Sequence, residues 1–446
     1  MPVNPSSVKL LKEYIEKGWE FHIIDMLYDL EPVEIADLIE SLDEESRGKF
    51  FLLLDVETAS DVISELSQDS REDVLDDISD TELTRIVEDM NSDDAADLLG
   101  DLHAERAERI LAALGPRESS EIKALLSYPE DSAGGIMQRE LVSVHPNTTV
   151  DDVVAQIRQV HTEIDNIHQA YVVDSKGVLV GTVPLVKLVL SKPETAVSQI
   201  MDIDPLTVPV TMDQEEVARL FSKYDKVVMP VVDEEGMLLG RITIDDIVDI
   251  MEEEATEDMF RFAGAQEDLL SSSIVRNATT RIPWLFVCWL GGVLASVLIR
   301  GFEEDLSKIV GLAAFMPIIL GMGGNVGTQS IALVVRGIAT GVTSERNFFA
   351  VLLRQMGVGL VLGFMFGFML WAIAFIMFPD DLRISLVIGF SIMFSMALAA
   401  FLGTFLPIMF YKLNQDPAVA SGPFVTTAMD VLAVGSYLMI SAIFLF

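Results

Sequence analysis

Five long apolar runs fill the C-terminal part of the sequence, at about 282–301, 309–337, 348–378, 384–411 and 417–446. Each is near or above the roughly 20 residues that a helix needs to span a bilayer. Hydrocarbon offers backbone amides no water, so such runs fold as helices. The remainder differs in character. The chain has 446 residues and is 50% hydrophobic, yet its net charge is −39. Beyond residue 274 there are 9 Lys+Arg and 8 Asp+Glu, so the acidity belongs to the front part. An acidic soluble half is therefore joined to a nearly neutral membrane half. Its bulk charge excludes nucleic acid and anionic headgroups as partners of the soluble half and favours small cations. The single cysteine, Cys288, lies in an apolar run, so there is no disulfide framework. Met1-Pro-Val-Asn-Pro lacks the regions of a signal peptide, which places the soluble half in the cytoplasm. Arg276 and Arg281, then Arg336, Arg346 and Arg354, then Lys412 fall on the inner side of five spans, and Arg300, Lys308 and Arg383 on the outer side. That excess has the sign expected for a cytoplasmic N-terminus and an extracytoplasmic C-terminus.

Asp430 is the one acid deep in a span. A carboxylate at that depth costs at least about 2.5–3.5 kcal/mol, which makes it a functional candidate, the alternative being a structural pair with a membrane Arg or Lys. Pro417, Pro423, Thr426 and Thr427 precede it, and proline breaks with hydroxyls suggest freed carbonyls nearby. The second run carries Pro317 and then Gly321-Met-Gly-Gly-Asn325-Val-Gly-Thr328-Gln329-Ser330. These glycines weaken helix and permit close backbone approach. Asn325, Thr328 and Gln329 are expected to face protein or a wet pore rather than lipid. Gly359, Gly363 and Gly367, spaced by four, predict a helix-packing face. No histidine lies in this half, so a His-based metalloenzyme lacks its ligands, and an aspartyl dyad lacks its second acid.

The soluble half opens with a twelve-residue repeat. Leu38, Phe50, Val62, Val74, Ile86, Leu98, Ile110 and Ile122 are each followed four residues later by another apolar residue. The next position reads Asp43, Asp55, Ser67, Ser79, Asn91, His103, Gly115 and Ser127, mostly cap and turn residues. A stack of roughly two-turn helices follows from this pattern. From Gly134 to Met251 an α/β unit occurs twice, with helices expected at Val150–Val160 and Gln214–Tyr224. Val172-Val-Asp and Gly177 match Val231-Val-Asp and Gly236. This resembles a tandem pair of CBS domains, which typically bind adenine nucleotides. The ribose-contact pattern Gly-x-x-Thr-x-x-Asp stands at Gly240, Thr243 and Asp246, whereas the first copy has Pro184 and Lys187. The resemblance thus implies one nucleotide site, with a purely structural pair as the alternative. A helix then carries Asp246, Asp249, Glu253 and Glu257 on one face, flanked by Glu254 and Asp258. Like charges at this spacing repel unless cations screen them.

The order of these parts, with Pro-Ala-Val-Ala-Ser-Gly-Pro-Phe-Val-Thr-Thr-Ala-Met-Asp430 and Gly-Gly-Asn-Val-Gly-Thr-Gln-Ser, resembles the MgtE-type magnesium channels. The expected architecture is multidomain: an all-α acidic helical array at 1–131, CBS domains at 132–197 and 198–252, a connecting helix at 253–274 that begins near 245, and a transmembrane pore domain of five helices at 275–446. The resemblance implies a homodimer in the cell inner (plasma) membrane, with Asp430 of each copy facing an axial pore and Thr426 beside the ion. It implies that Asp416, at the inner mouth, meets the connecting helix through a bound ion. It also implies regulatory Mg²⁺ ligands at Asp213, Glu215 and Asp225, at Asp246, Asp249, Glu254, Glu257 and Asp258, and in the array at Glu57, Asp89 and Asp93. Asp246 is claimed by both nucleotide and metal. The expected function is inward Mg²⁺ conduction shut by Mg²⁺ on the acidic domains, without enzymatic activity and with ATP at the CBS pair. The alternatives are a transporter for another divalent ion such as Mn²⁺ or Co²⁺, and a membrane-tethered nucleotide sensor.

Overall fold

The computed structural model describes residues 5–17, 19–27, 30–161, 164, 166–263, 274–304, 311–340, 342–343, 346–413, 415, 417 and 423–445. The chain forms two compact units, Met1–Met251 and Glu252–Phe446.

In the first unit, α1 (Pro5–Lys17) and α2 (Glu20–Leu27) precede eight short helices: α3 (Pro32–Glu40), α4 (Glu44–Phe51), α5 (Val56–Ser64), α6 (Gln68–Asp77), α7 (Asp80–Asp89), α8 (Ser92–Gly100), α9 (Ala104–Ala113) and α10 (Pro116–Leu125). Their N-caps are Glu31, Asp43, Asp55, Ser67, Ser79, Asn91, His103 and Gly115, one every twelve residues. The cap positions read from the sequence from Asp43 to Gly115, His103 included, start helices, whereas Ser127 follows the last helix of the array and starts none. Asp55 accepts from the Thr58 amide at 3.0 Å, and Ser79 and Glu82 form a reciprocal capping box. Phe50, Val62, Val74, Leu98, Ile110 and Ile122 are buried in one continuous core. Each helix packs mainly on the next but one: α3 on α5, α4 on α6, α5 on α7, α7 on α9, α8 on α10. Arginines tie these layers together. Arg47 reaches Asp73 at 2.6 Å, Arg71 reaches Asp101 at 3.1 Å, and Arg106 reaches Asp80 at 3.1 Å.

The two α/β copies follow. The first has β1 (Ser143–Val144), α11 (Val150–Val160), β2 (Gln169–Val173), β3 (Leu179–Pro184), α12 (Leu185–Leu190) and β4 (Asp202–Ile203). The second has β5 (Val208–Pro209), α13 (Gln214–Tyr224), β6 (Val228–Val232), β7 (Leu238–Thr243) and α14 (Ile244–Ala263). The sheets run β1-β2-β3-β4 and β5-β6-β7, with a parallel first pair and an antiparallel hairpin in each. Gly177 and Gly236 turn the two hairpins at φ +88 and +80, which a side chain rarely adopts. In both turns the preceding Asp174 or Asp233 accepts two backbone amides. The hairpin tips bond to each other, Leu179 N to Gly236 O at 3.0 Å and Leu238 N to Gly177 O at 3.1 Å. The copies also exchange backbone bonds at Gln138 and Arg241.

Among the described residues of the second unit, five helices are long and apolar enough to cross a membrane. They are α15 (Ile274–Gly301), α16 (Gly311–Ala339), α17 (Phe348–Met377), α18 (Leu382–Lys412) and α19 (Pro423–Leu445). Helix α16 continues through Pro317 and the glycines, which weaken a helix without interrupting this one. Its glycines serve close approach. A Cβ on Gly327 would collide with Met429 of α19, and one on Gly323 would stand 2.9 Å from Ser395 Oγ of α18. The α17–α18 contact is closer still. A Cβ on Gly363 would lie 2.8 Å from the Met393 carbonyl oxygen, and one on Gly367 would lie 2.7 Å from that of Gly389. Gly363→Val must therefore push two backbones apart, whereas Gly357→Val meets open space. We expect thermal melting of the purified chain to show a loss of about 1–3 kcal/mol for the first substitution and little change for the second.

Candidate functional site

Helix α19 presents Val425, Met429, Ala433 and Tyr437 to the bundle, a buried line at intervals of four. Tyr437 Oη donates to the Leu312 carbonyl at 2.8 Å, pinning α19 to α16. Thr427 lies against Gly291 of α15 and Met429 against Gly327 of α16. These contacts fix the rotation of the helix and leave Asp430 exposed on the outside of this single chain. Among the described residues no Arg or Lys pairs with Asp430. The structural-pair alternative has no partner to rest on there. Thr426, one turn before, is half-buried.

On α16, Asn325 and Gln329 are exposed one turn apart, away from the face on which Gly323 and Gly327 touch α18 and α19. Thr328 turns its hydroxyl onto the Gly324 carbonyl at 3.0 Å. The structure does not bring Asn325 or Gln329 into hydrogen-bonding contact with Asp430. Asp416 and residues 418–422 fall outside the described residues, so the freed carbonyls expected near Pro417 do too.

A second constellation lies inside the first unit, where α8 meets the start of α14. Asp93 is 5% exposed, and its Oδ1 has no hydrogen-bond partner. Burial, then the charge of Asp246, pushes its carboxyl well above the usual range. Burial and Asp246 likewise raise Asp94 to about 7. Asp246 itself is raised to about 6, by burial first and by Asp245 and Asp249 beyond it, with the Thr243 hydrogen bond opposing. Glu65, at the C-terminal cap of α5, is raised by burial and then by Asp249. Glu140 stands beside Asp93 and takes the Ser92 hydroxyl at 2.8 Å. Carboxylates from three helices thus crowd together with little basic compensation, a region that gains from a proton or a cation. Among the described residues no three of them converge as a ready metal cage. Mg²⁺ does not require one, since it keeps most of its waters and takes one or two carboxylates. The unsatisfied Asp93 oxygen and its neighbour Asp246 fit that demand.

The other expected ligands are dispersed. Asp213 caps α13 through the Glu215 amide at 3.0 Å, and Glu215 pairs with Arg219. Asp225 ends that helix in the left-handed region at φ 50, exposed. Glu57 is exposed, and Asp89 accepts from Ser60 at 2.9 Å. Asp249 is exposed near Glu65, while Glu254 and Glu257 lie further along α14, where Glu257 pairs with Arg261. Asp258 belongs to α14, but its side chain lies outside the description. At the ribose pattern, Thr243 is 1% exposed, and its amide and hydroxyl both donate to Asp246 Oδ2, at 3.3 and 2.6 Å. That oxygen is engaged before any sugar arrives. Sequence reasoning missed Asp94, Glu65 and Glu140. Asp94 stands in the first turn of α8, where an acid is ordinarily a helix-end residue, and nothing local distinguishes it.

A helical array, a CBS pair and five apolar helices, one of them carrying an exposed carboxylate, are the features of a membrane transport protein. The MgtE divalent cation transporter family matches residues 316–440, its intracellular N domain residues 30–131, and the CBS domain residues 133–190 and 197–253. The chain is 38% identical over 326 residues to the magnesium transporter MgtE of Thermus thermophilus, covering 72% of each. It is 34% identical to that of Bacillus subtilis, over 72% of this chain and 71% of the relative. A crystal structure of the cytosolic domain of the Mg²⁺ channel MgtE with ATP superposes with a TM-score of 0.52 at 36% identity, covering 55% of this chain and 99% of that one. The soluble part of a magnesium transporter gives the same score at 30% identity, covering 56% and 98%. The chain belongs to the MgtE family of magnesium transporters; it is a multi-pass membrane protein and not an enzyme.

The raised acids give a sign to pH dependence. A carboxyl whose value rises on docking prefers to be neutral there, so docking gains as pH falls through about 7 to 6 and weakens above it. In chelator-treated protein we expect hydrogen exchange of the α8 amides, corrected for intrinsic rate, to be slower on the acid side of this window. Asp246→Asn should flatten the difference.

Proposed function

We propose that the protein conducts Mg²⁺ into the cell as a homodimer in the plasma membrane, cytoplasmic at its N-terminus and extracytoplasmic at its C-terminus. One observation carries the reading: Asp430 stands exposed and without a basic partner among the described residues, in the first third of an apolar span. Two such side chains across a symmetry axis would face one passage, with Thr426 beside them and Asn325, Thr328 and Gln329 supplying polar lining. A pair of carboxylates holds a hydrated Mg²⁺ through its waters, since the ion surrenders them reluctantly. The relatives named as magnesium transporters support the cargo.

Closure by Mg²⁺ rests on the acids of the soluble half. Asp93, Asp246 and Asp249, with Glu57, Asp89, Asp213, Glu215 and Asp225, would take ions between subdomains, and Glu254, Glu257, Asp258 and Asp416 would take them along the connecting helix. Ions that bind the compact arrangement better than the splayed one shift the population toward it. We place the functional divisions at 1–131, 132–197, 198–252, 253–274 and 275–446. The cytosolic neighbour in complex with ATP supports a nucleotide at the CBS pair, for which Thr243 and Asp246 are the candidates.

Asp430→Ala should abolish Mg²⁺ flux into vesicles reconstituted with the chain, and flux at the unaltered rate removes the residue from the passage. Asp249→Asn with Glu254→Gln should leave the pore open at Mg²⁺ concentrations that shut the parent. Closure at the same concentration would put the sensor elsewhere. Competition by Mn²⁺ and Co²⁺ in the same vesicles decides whether Mg²⁺ is the preferred ion.

A further inference from the structure

Helix α17 has two faces of opposite character. On one, Gly359, Gly363 and Gly367 lie against α18. On the other, Arg354, Gly357, Val358, Val361 and Leu362 line a shallow, open depression. Their spacing is that of a single helical face. Gly357 leaves this part of the face open, since nothing lies within 4 Å of where its Cβ would stand. Val358 and Val361 are 46% and 70% exposed. The depression is therefore apolar along its length and cationic at one end.

That end is where a bilayer places its headgroups. Arg354 lies six residues into α17, about 9 Å from its start at 1.5 Å per residue. Phe348, which begins the helix, packs with Val334, Ile338 and Ile408, so the ends of α16, α17 and α18 meet here. Phe348 stacks edge-on with Tyr411 at 5.7 Å, and Lys412 Nζ lies 5.6 Å from its ring. Arg336 and Arg346 belong to the same end. Among the described residues none of these four cations has a carboxylate partner. A guanidinium on a lipid-facing surface extends its stem over apolar neighbours and seeks an anion at the interface, and phosphate suits its planar fork.

We propose that this depression holds one anionic glycerophospholipid, with its phosphate on Arg354 and an acyl chain laid over Gly357 along Val358, Val361 and Leu362. A zwitterionic lipid offers the same phosphate but sets an ammonium among unpaired cations, so charge selects the anionic headgroup. A second copy of the chain is the weaker occupant. It would have to bury Arg354 against an acid, and the one acid inside a described span is Asp430, on α19.

The test is native mass spectrometry of the full-length protein released from bilayers of equal phosphatidylglycerol and phosphatidylcholine. The parent should retain phosphatidylglycerol several-fold over phosphatidylcholine. Arg354→Gln should erase that preference, Arg354→Lys should keep most of it, and Gly357→Leu, which fills part of the depression, should lower retention of both lipids. The proposal is overturned if Arg354→Gln leaves the preference intact, or if copies carrying Gly357→Cys in a Cys288→Ser background cross-link to one another.

Discussion

A carboxylate inside an apolar span, without a counter-charge among the described residues of its own chain, is the constraint on which the membrane unit depends. The helices around Asp430 are not arranged to neutralise it. They are arranged to aim it. Tyr437 on the Leu312 carbonyl, Met429 on Gly327 and Thr427 on Gly291 set the rotation of α19 so that the acid leaves the bundle. An exposed carboxylate facing lipid would be expelled or neutralised. What makes the position tenable in our reading is water, a second copy and a divalent ion.

The soluble unit solves the same electrostatic problem in the opposite way. Asp93, Asp94, Asp246 and Glu65 are gathered rather than isolated, and burial raises each of them. Crowded acids of this kind store a preference for any cation that can enter. The array that carries them is otherwise held firmly by buried apolar pairs, by caps and by arginines that bridge alternate layers. A rigid scaffold with an unsatisfied acidic seam responds to ions at the seam, which is the behaviour the proposed gating needs.

Much of this was legible in the sequence, because the signals are local. Caps recur every twelve residues since a two-turn helix and its turn use that many, and the chemistry of a cap lies in one side chain. Gly177 and Gly236 were legible as matching positions of the repeat, and the structure shows why both copies keep a residue without Cβ there: each turns a hairpin at positive φ. Asp430 was legible because an acid in an apolar run is conspicuous. The glycines of α16 were read as weakening the helix and permitting close approach; the close approach is present, and the helix persists because in an apolar span it is the one way to satisfy the backbone. The roles of Asp94, Glu65 and Glu140 were not legible, because they depend on α5, α8 and α14 meeting across long stretches of chain. The engagement of Asp246 by Thr243 shows how a short motif can be occupied by its own neighbours.

The central claim is that residue 430 lines a watery passage visited by Mg²⁺. It is tested most directly by labelling Asp430→Cys, in a Cys288→Ser background, in sealed vesicles with a membrane-impermeant cationic thiol reagent. The account predicts labelling from the aqueous phase that slows as Mg²⁺ is added. A thiol that reacts with a lipid-soluble maleimide alone, indifferent to Mg²⁺, would contradict it.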